Sequence, residues 1–257
     1  MTKVKEIPLG QLLGTDYSRF LTYPSHDERE AKARVRELAA MGVTSVSFGG
    51  PTLIGGVPIL GKGCVGIVTG ASIGEVPIAL KIRRLDADRI TMVGESRLLR
   101  IANSVGVGPR LITATRNFLA MELFDGLPLF KWCEGQGGKS SKMVKRALAS
   151  LLLDCFKLDT VGLDHGELSH APKNVLVSGR GVPCIIDFES ASTARRVANV
   201  TAIIQYFLFG RISQAISATK LFPKRRAVLK VLGEYKREGS VERFERIFSA
   251  LNLQWPR

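Results

Sequence analysis

Two hydrophobic periods share this chain. Up to about residue 123, apolar side chains mostly occur in short, glycine-punctuated runs that suit strands; beyond it they recur every three or four positions, as on helices packed by one face. Pro8, Gly10, Gly14 and Pro24 break residues 1–26 into short pieces. Asp27 is placed to cap a helix running to about residue 40, with Glu30, Lys32, Arg34 and Glu37 on its wet side and Ala33, Val35, Leu38 and Ala39 able to pack; Gly42 ends it. Residues 43–48 read as a strand. Gly49-Gly50-Pro51 and Gly55-Gly56 cut the next stretch into short strands, and 67–69 and 76–82 are strand-like around a turn at Gly70 and Gly74. A helix is predicted from Asp86 or Asp88, packing through Ile90, Val93, Leu98, Ile101 and Val105. A hairpin over 111–113 and 118–123 follows.

Phe124-Asp125-Gly126-Leu127-Pro128 interrupts the pattern and marks a hinge. Residues 131–139, with Gly135, Gly137 and Gly138, read as an exposed loop. Ser140 or Ser141 then caps the clearest helix, whose stripe is Val144, Ala147, Leu148, Leu151, Leu152, Cys155 and Phe156. Two short strands, 174–177 and 182–186, flank the turn Ser178-Gly179-Arg180-Gly181. Helices follow, packing through Val200, Ile203, Ile204, Phe207 and Leu208, and finally through Val241, Phe244, Ile247, Phe248 and Leu251.

Composition narrows the classes. The 257 residues suffice for one large domain or two lobes. Cys64, Cys133, Cys155 and Cys184 are scattered, without a C-x-x-C pair, which argues against thiolate metal sites and for a reducing compartment. With no apolar run of membrane-spanning length and no apolar leader at the start, a soluble cytoplasmic protein without membrane contact is expected. The net charge of +14 favours anionic partners. Lys224-Arg225-Arg226 is the densest basic cluster; it is either a solvated helix face or a contact for RNA or an acidic protein.

Candidate chemistry centres on Gly61-Lys62-Gly63-Cys64-Val65-Gly66-Ile67-Val68, which spells G-x-G-x-x-G-x-V. Three phosphate loops share such glycines. A dinucleotide fold needs a helix straight after them, which Gly70, Gly74 and Pro77 forbid; the Walker A form needs a hydroxyl where Gly63 stands. The third form caps a hairpin and is followed by strands, as here. Lys81 lies in the second strand after the loop, where burial demands an anionic partner, and Glu95 is the best-placed carboxylate. Asn174 heads one strand of a hairpin and Asp187 ends the other, so two hard oxygens can reach one metal ion.

In this order Gly61–Val68, Ala79-Leu80-Lys81, His165-Gly166-Glu167-Leu168 with Asn174, and Asp187-Phe188-Glu189 resemble the motifs of the protein-kinase-like superfamily. The likeness is to its small atypical members: the RIO-type, KEOPS-complex and lipopolysaccharide-kinase-like groups, and the predicted Ser/Thr kinases of archaea. It covers roughly residues 57–209. The resemblance implies an α+β, bilobal protein-kinase-like fold with a small β-rich N-lobe (49–124) and a larger helical C-lobe (125–257), preceded by an extension (1–48) whose helix packs on the N-lobe. It further implies ATP bound by Gly61, Lys62, Gly63, Gly66, Val68, Ala79, Lys81, Glu95, Met121, Glu122 and Phe124. Asn174 and Asp187 would hold Mg²⁺ or Mn²⁺, Glu167 would orient or deprotonate the acceptor, and Lys173 would steady the γ-phosphate. Glu167 occupies the place of the family's catalytic Asp, Asn174 falls two positions later than the family spacing, and Asp164 is a fallback base.

The implied activity is an ATP-dependent Ser/Thr protein kinase acting on a protein substrate. A sugar or aminoalcohol kinase, a nucleotide-binding scaffold without transfer, and an RNA-associated ATPase remain as alternatives.

Overall fold

The structure is a computed structural model that describes residues 4–136, 141–170, 173–216 and 225–255. Ser140 as a helix cap, most of the glycines of the expected 131–139 loop, Ala171-Pro172 and Lys224 lie outside these residues. The chain is α+β, with a β-rich N-terminal sheet and a helical C-terminal part. It divides into two compact units, Met1–Arg100 with Arg110–Leu123, and Ile101–Pro109 with Phe124–Arg257.

The first unit runs β1 (Lys5–Pro8), α1 (Leu9–Leu12), a 3-10 stretch (Asp16–Thr22), α2 (Glu28–Ala40), β2 (Val43–Phe48), β3 (Thr52–Ile54), β4 (Val57–Ile59), β5 (Gly61–Lys62), β6 (Gly66–Ile73), β7 (Val76–Arg83), the start of α3 (Val93–Ser104), β8 (Leu111–Ala114) and β9 (Phe118–Glu122). Seven antiparallel strands form its sheet in the order β1-β2-β6-β7-β9-β8, with β5 on the edge of β6; β3 and β4 make a separate hairpin. Residues 5–8 and 43–48 are thus strands of the same sheet as the glycine stretch. Alternation sends Ile67, Ala71, Ile78, Leu80, Ile82 and Ala120 to one face, where they pack with Leu38 of α2, Phe20, Leu21 and Phe48.

Asp27 caps α2, its Oδ1 accepting from the Glu30 N–H at 3.0 Å, and Gly42 leaves it at φ +80°. The helical pattern put Arg34 on the wet side; instead it is fully buried. Its guanidinium donates to the carbonyls of Leu21 at 2.5 Å and Arg83 at 2.6 Å, to Asn117 Oδ1 at 2.9 Å and to Glu30 at 2.7 Å. Carbonyls that no ladder or helix serves need a donor, and arginine's fork reaches several at once. Ala33 and Ala39, expected to pack, are exposed. α3 begins at Val93 rather than near Asp86, because Asp86 is chelated by the Arg84 guanidinium at 2.6 and 2.8 Å; the Thr91 hydroxyl accepts from the Val93 N–H instead. Ile90 is 74% exposed, and the buried positions are Met92, Glu95, Ser96, Leu99 and Ala102.

The second unit holds the end of α3, then β10 (Leu127–Pro128), α4 (Leu129–Gly135), α5 (Ser141–Thr160), a 3-10 turn (Leu168–His170), β11 (Val175–Val177), β12 (Pro183–Ile185), α6 (Asn199–Phe209), α7 (Ile212–Ala215), α8 (Arg225–Arg237) and α9 (Val241–Ala250). The stretch expected as a loop at 131–139 is helical as far as Gly135: Leu129, Trp132 and Cys133, spaced for one face, are buried and outweigh the glycines behind them. The whole expected stripe of α5 is buried. Asp159, near its end, accepts from Asn199 N and Nδ2 (3.0 and 2.8 Å), from the Val200 N–H (3.3 Å) and from the Tyr235 hydroxyl (2.9 Å), so one carboxylate starts α6 and anchors α8. In α9, Phe244, Ile247 and Phe248 are buried, while Val241 is half-exposed. Among the described residues no helix is long and apolar enough to cross a membrane.

Candidate functional site

In the first unit the glycine stretch is the hairpin joining β5 to β6, with Gly61 opposite Val68 and Lys62 opposite Ile67. The Gly63 N–H donates to the Gly66 carbonyl at 2.8 Å and closes the turn. Arg84 steadies it from β7's end, its N–H reaching the Val65 carbonyl at 2.9 Å and its guanidinium the Gly63 carbonyl at 3.1 Å. Among the described residues nothing accepts from the N–H groups of Cys64 or Val65. A Cβ on Gly66 would lie 2.9 Å from the Ile82 carbonyl oxygen and 3.0 Å from Cγ of Lys81, so glycine there makes room for the lysine stem. Lys62 is exposed; its ammonium donates to the Tyr23 hydroxyl at 2.8 Å.

Directly opposite residues of antiparallel strands share a face. The register sets Val68 opposite Lys81, Gly70 opposite Ala79, and Ala79 opposite Met121. Val68, Ala79, Lys81 and Met121 therefore lie on one face of the sheet, the face away from the apolar cluster built on Ile67, Ile78 and Leu80. Lys81 and Glu95 are both buried there and form an ion pair at 2.9 Å. A buried ammonium is tolerable only with such a partner. Glu122 is exposed at the end of β9, its N–H bonded to the Arg110 carbonyl at 2.9 Å.

The second unit gathers the other predicted residues. Phe124 is half-buried at its start, before β10. The Ile186 N–H donates to the Asn174 carbonyl at 2.9 Å, continuing the β11–β12 ladder and placing Asn174 and Asp187 at its open end. Asp187 has φ +66°, a left-handed conformation that costs energy for a side-chain-bearing residue and is found where surroundings enforce it. Phe188 is buried against the His165 ring at 5.1 Å, and His165 Nε2 donates to the Ile186 carbonyl at 3.1 Å. Burial pushes His165 below the ordinary imidazole range, so it is a neutral strut.

Glu167 faces this end of the hairpin. Its Oε2 accepts from Asn174 Nδ2 at 3.1 Å, and its Oε1 accepts from the Ser190 hydroxyl. The Ser190 bond holds its carboxyl below the usual glutamate range, against burial and with help from Asn174. Asn174 is buried and its amide nitrogen is turned to Glu167, which leaves its oxygen facing the other way. The Asp187 and Glu189 carboxylates have oxygens within 4.8 Å of each other. Lys173 is exposed, with no ion pair among the described residues. Asp164, the fallback base, accepts from Arg195 Nε at 3.0 Å and from the Ala198 N–H at 3.1 Å.

Spacing did not reveal Ser190, Glu189, Arg84 or Arg195. Glu189 is legible only as the last residue of Asp187-Phe188-Glu189. Arg195 donates to the Ser190 carbonyl at 2.6 Å and lies against Gly166, whose φ of +86° and lack of a Cβ admit the guanidinium; no motif marks it.

No protein-family model matches the chain, and no curated protein matches it in sequence. One solved structure similar to part of it is the complex of Rv3197 with erythromycin from Mycobacterium tuberculosis, at 16% identity and a TM-score of 0.41. The match takes in 52% of this chain and 45% of that one, less than half the neighbour's length. A likeness this distant carries no inference about fold or activity.

Proposed function

We propose that the protein is an ATP-dependent phosphotransferase of bilobal, protein-kinase-like design, passing the γ-phosphate to a hydroxyl group, with a serine or threonine of a protein as the first acceptor class. The observation that carries this reading is the sheet face holding Val68, Ala79, Met121 and the buried Lys81–Glu95 pair, bordered by a glycine hairpin. A cation fixed in an apolar strand beside backbone N–H groups suits phosphate oxygens, and the apolar residues beside it suit a flat base. Lys81 would grip the α- and β-phosphates while Glu95 keeps its ammonium charged and aimed.

The second unit's residues fit a hard divalent cation: a carboxamide oxygen fixed by its own amide's bond to Glu167, and the carboxylate of a strained aspartate. Asn174 and Asp187 would hold Mg²⁺ or Mn²⁺, whose charge offsets that of the phosphates. The acceptor oxygen forms its bond to phosphorus as the bond to the ADP oxygen breaks. With its carboxyl held below the usual range, Glu167 is a weak proton acceptor at neutral pH; it orients the hydroxyl and takes the proton only as that bond forms.

A second reading, a nucleotide-binding scaffold without transfer, is favoured by one observation: both Glu167 oxygens already accept hydrogen bonds. Mg-ATP titrations separate the two. Under the leading reading Mg-ATP raises the melting temperature, Lys81→Ala abolishes that rise, and label from γ-labelled ATP reaches an added protein or small alcohol. Binding without transfer, unchanged in Glu167→Gln, supports the scaffold; no binding at all defeats both. Transfer only to sugars or aminoalcohols would move the acceptor class, not the chemistry.

A further inference from the structure

Away from the candidate site, α8 carries five cations, Arg225, Arg226, Lys230, Lys236 and Arg237, all exposed. Among the described residues none of them has a carboxylate partner. The one acid of this helix, Glu234, is half-buried and engaged by Arg246 at 3.1 Å, and the nearby Glu238 is engaged by Arg243 at 2.6 Å. Arg226 and Lys230 stand four positions apart, where like charges repel along a helix. The helix keeps its place through Val228, Leu232 and Tyr235, which are buried. Its outer face is therefore a self-repelling row of positive charge.

The row begins beside an exposed aromatic ring. Phe209, which ends α6, is 65% exposed, and the Arg225 guanidinium stands 6.0 Å over its ring while donating to the Leu208 carbonyl at 3.2 Å. Arg211, two residues on, is also exposed. Cations that follow a phosphate backbone next to a ring on which a base can stack are the two components of single-strand recognition. Arg226 to Arg237 spans about 16 Å of helix, over which a strand presents several phosphates.

We propose that α8 and Phe209 form a binding surface for single-stranded nucleic acid, with phosphates along Arg226, Lys230 and Arg237 and a base on Phe209. An acidic peptide would use the cations and leave Phe209 without a role; a duplex keeps its bases stacked away from it. This surface is independent of the phosphotransferase reading.

The test is fluorescence anisotropy of the full chain with labelled oligouridylate and oligothymidylate of about 15 nucleotides, alongside a duplex and poly-glutamate. Single strands are expected to bind with log K falling against log salt at a slope of roughly −2 to −3, about 0.7 for each of three or four phosphates. The triple variant Arg226→Glu, Lys230→Glu, Arg237→Glu, its fold checked by circular dichroism, is expected to flatten that slope and weaken binding at least about tenfold. Phe209→Ala is expected to weaken it about tenfold with the slope kept. Binding of RNA, DNA or both supports the proposal and identifies the strand used. No binding at low salt, tighter binding of the duplex, a slope unchanged in the triple variant, or poly-glutamate binding as tightly with Phe209→Ala silent would each overturn it.

Discussion

Glu167 shows at the residue scale how environment sets a role. Its carboxyl titrates below the ordinary 4.5 because the Ser190 hydroxyl and the Asn174 amide bond its charged form. A depressed folded value adds stability that is complete above the unfolded pKa and is lost as pH falls through the folded one. Urea titrations between about pH 6 and pH 3 should therefore show wild-type stability dropping more steeply below about pH 4.5 than that of Glu167→Gln; parallel curves would mean the two bonds are absent. Arg34 poses a different residue-scale test. Removing a buried guanidinium that serves four acceptors takes this donor from the Leu21 and Arg83 carbonyls, while Asn117 Oδ1 keeps its bonds from Arg83, so Arg34→Ala should cost about 3–5 kcal/mol in chemical denaturation. Nothing in the periodicity marked Arg34 as internal, since a wheel reads arginine as wet and cannot see carbonyls arriving from residues 21 and 83. Lys81 and Glu95 were legible for the opposite reason: a lysine inside an apolar strand demands a carboxylate, and one lay on the next helix.

Elements with a long, regular stripe were the most legible. Every apolar position expected for α5 is buried, and Leu151→Ala there should cost about 2–5 kcal/mol by opening a cavity in a fully buried site. Short elements were read less well, because a local chelate or three apolar residues decide them. Asp86 looked like a cap and is instead held by Arg84, which delays α3 to Val93; α4 hid in front of a glycine run. The glycine hairpin was legible as a turn between strands, whereas Arg84's hold on its carbonyls was not. Gly66 belongs to the strand rather than the turn tip, so Gly66→Val should do more than stiffen a loop. It should push on the Lys81 stem and the Ile82 carbonyl, lowering both melting temperature and nucleotide affinity, where Gly61→Ala, with open space around its Cβ, should leave the melting temperature near wild type.

Across the whole molecule, charge dominates. A formal +14 on 257 residues is self-repulsive, and the melting temperature should rise with salt between about 20 and 200 mM as screening shortens the reach of that repulsion; a fall would mean that ion pairs outweigh it. The same charge suits an anionic partner, and the order of glycine hairpin, Lys81, Asn174 and Asp187 along the chain is what supports the proposed phosphoryl transfer. The most direct test is transfer of label from γ-labelled ATP, with Mg²⁺ or Mn²⁺, to added acceptor proteins by wild type and by Asp187→Ala of matched fold. Phosphotransferase chemistry at these residues requires transfer by wild type and a loss of at least about 10²-fold in the variant; equal transfer by the two would contradict it.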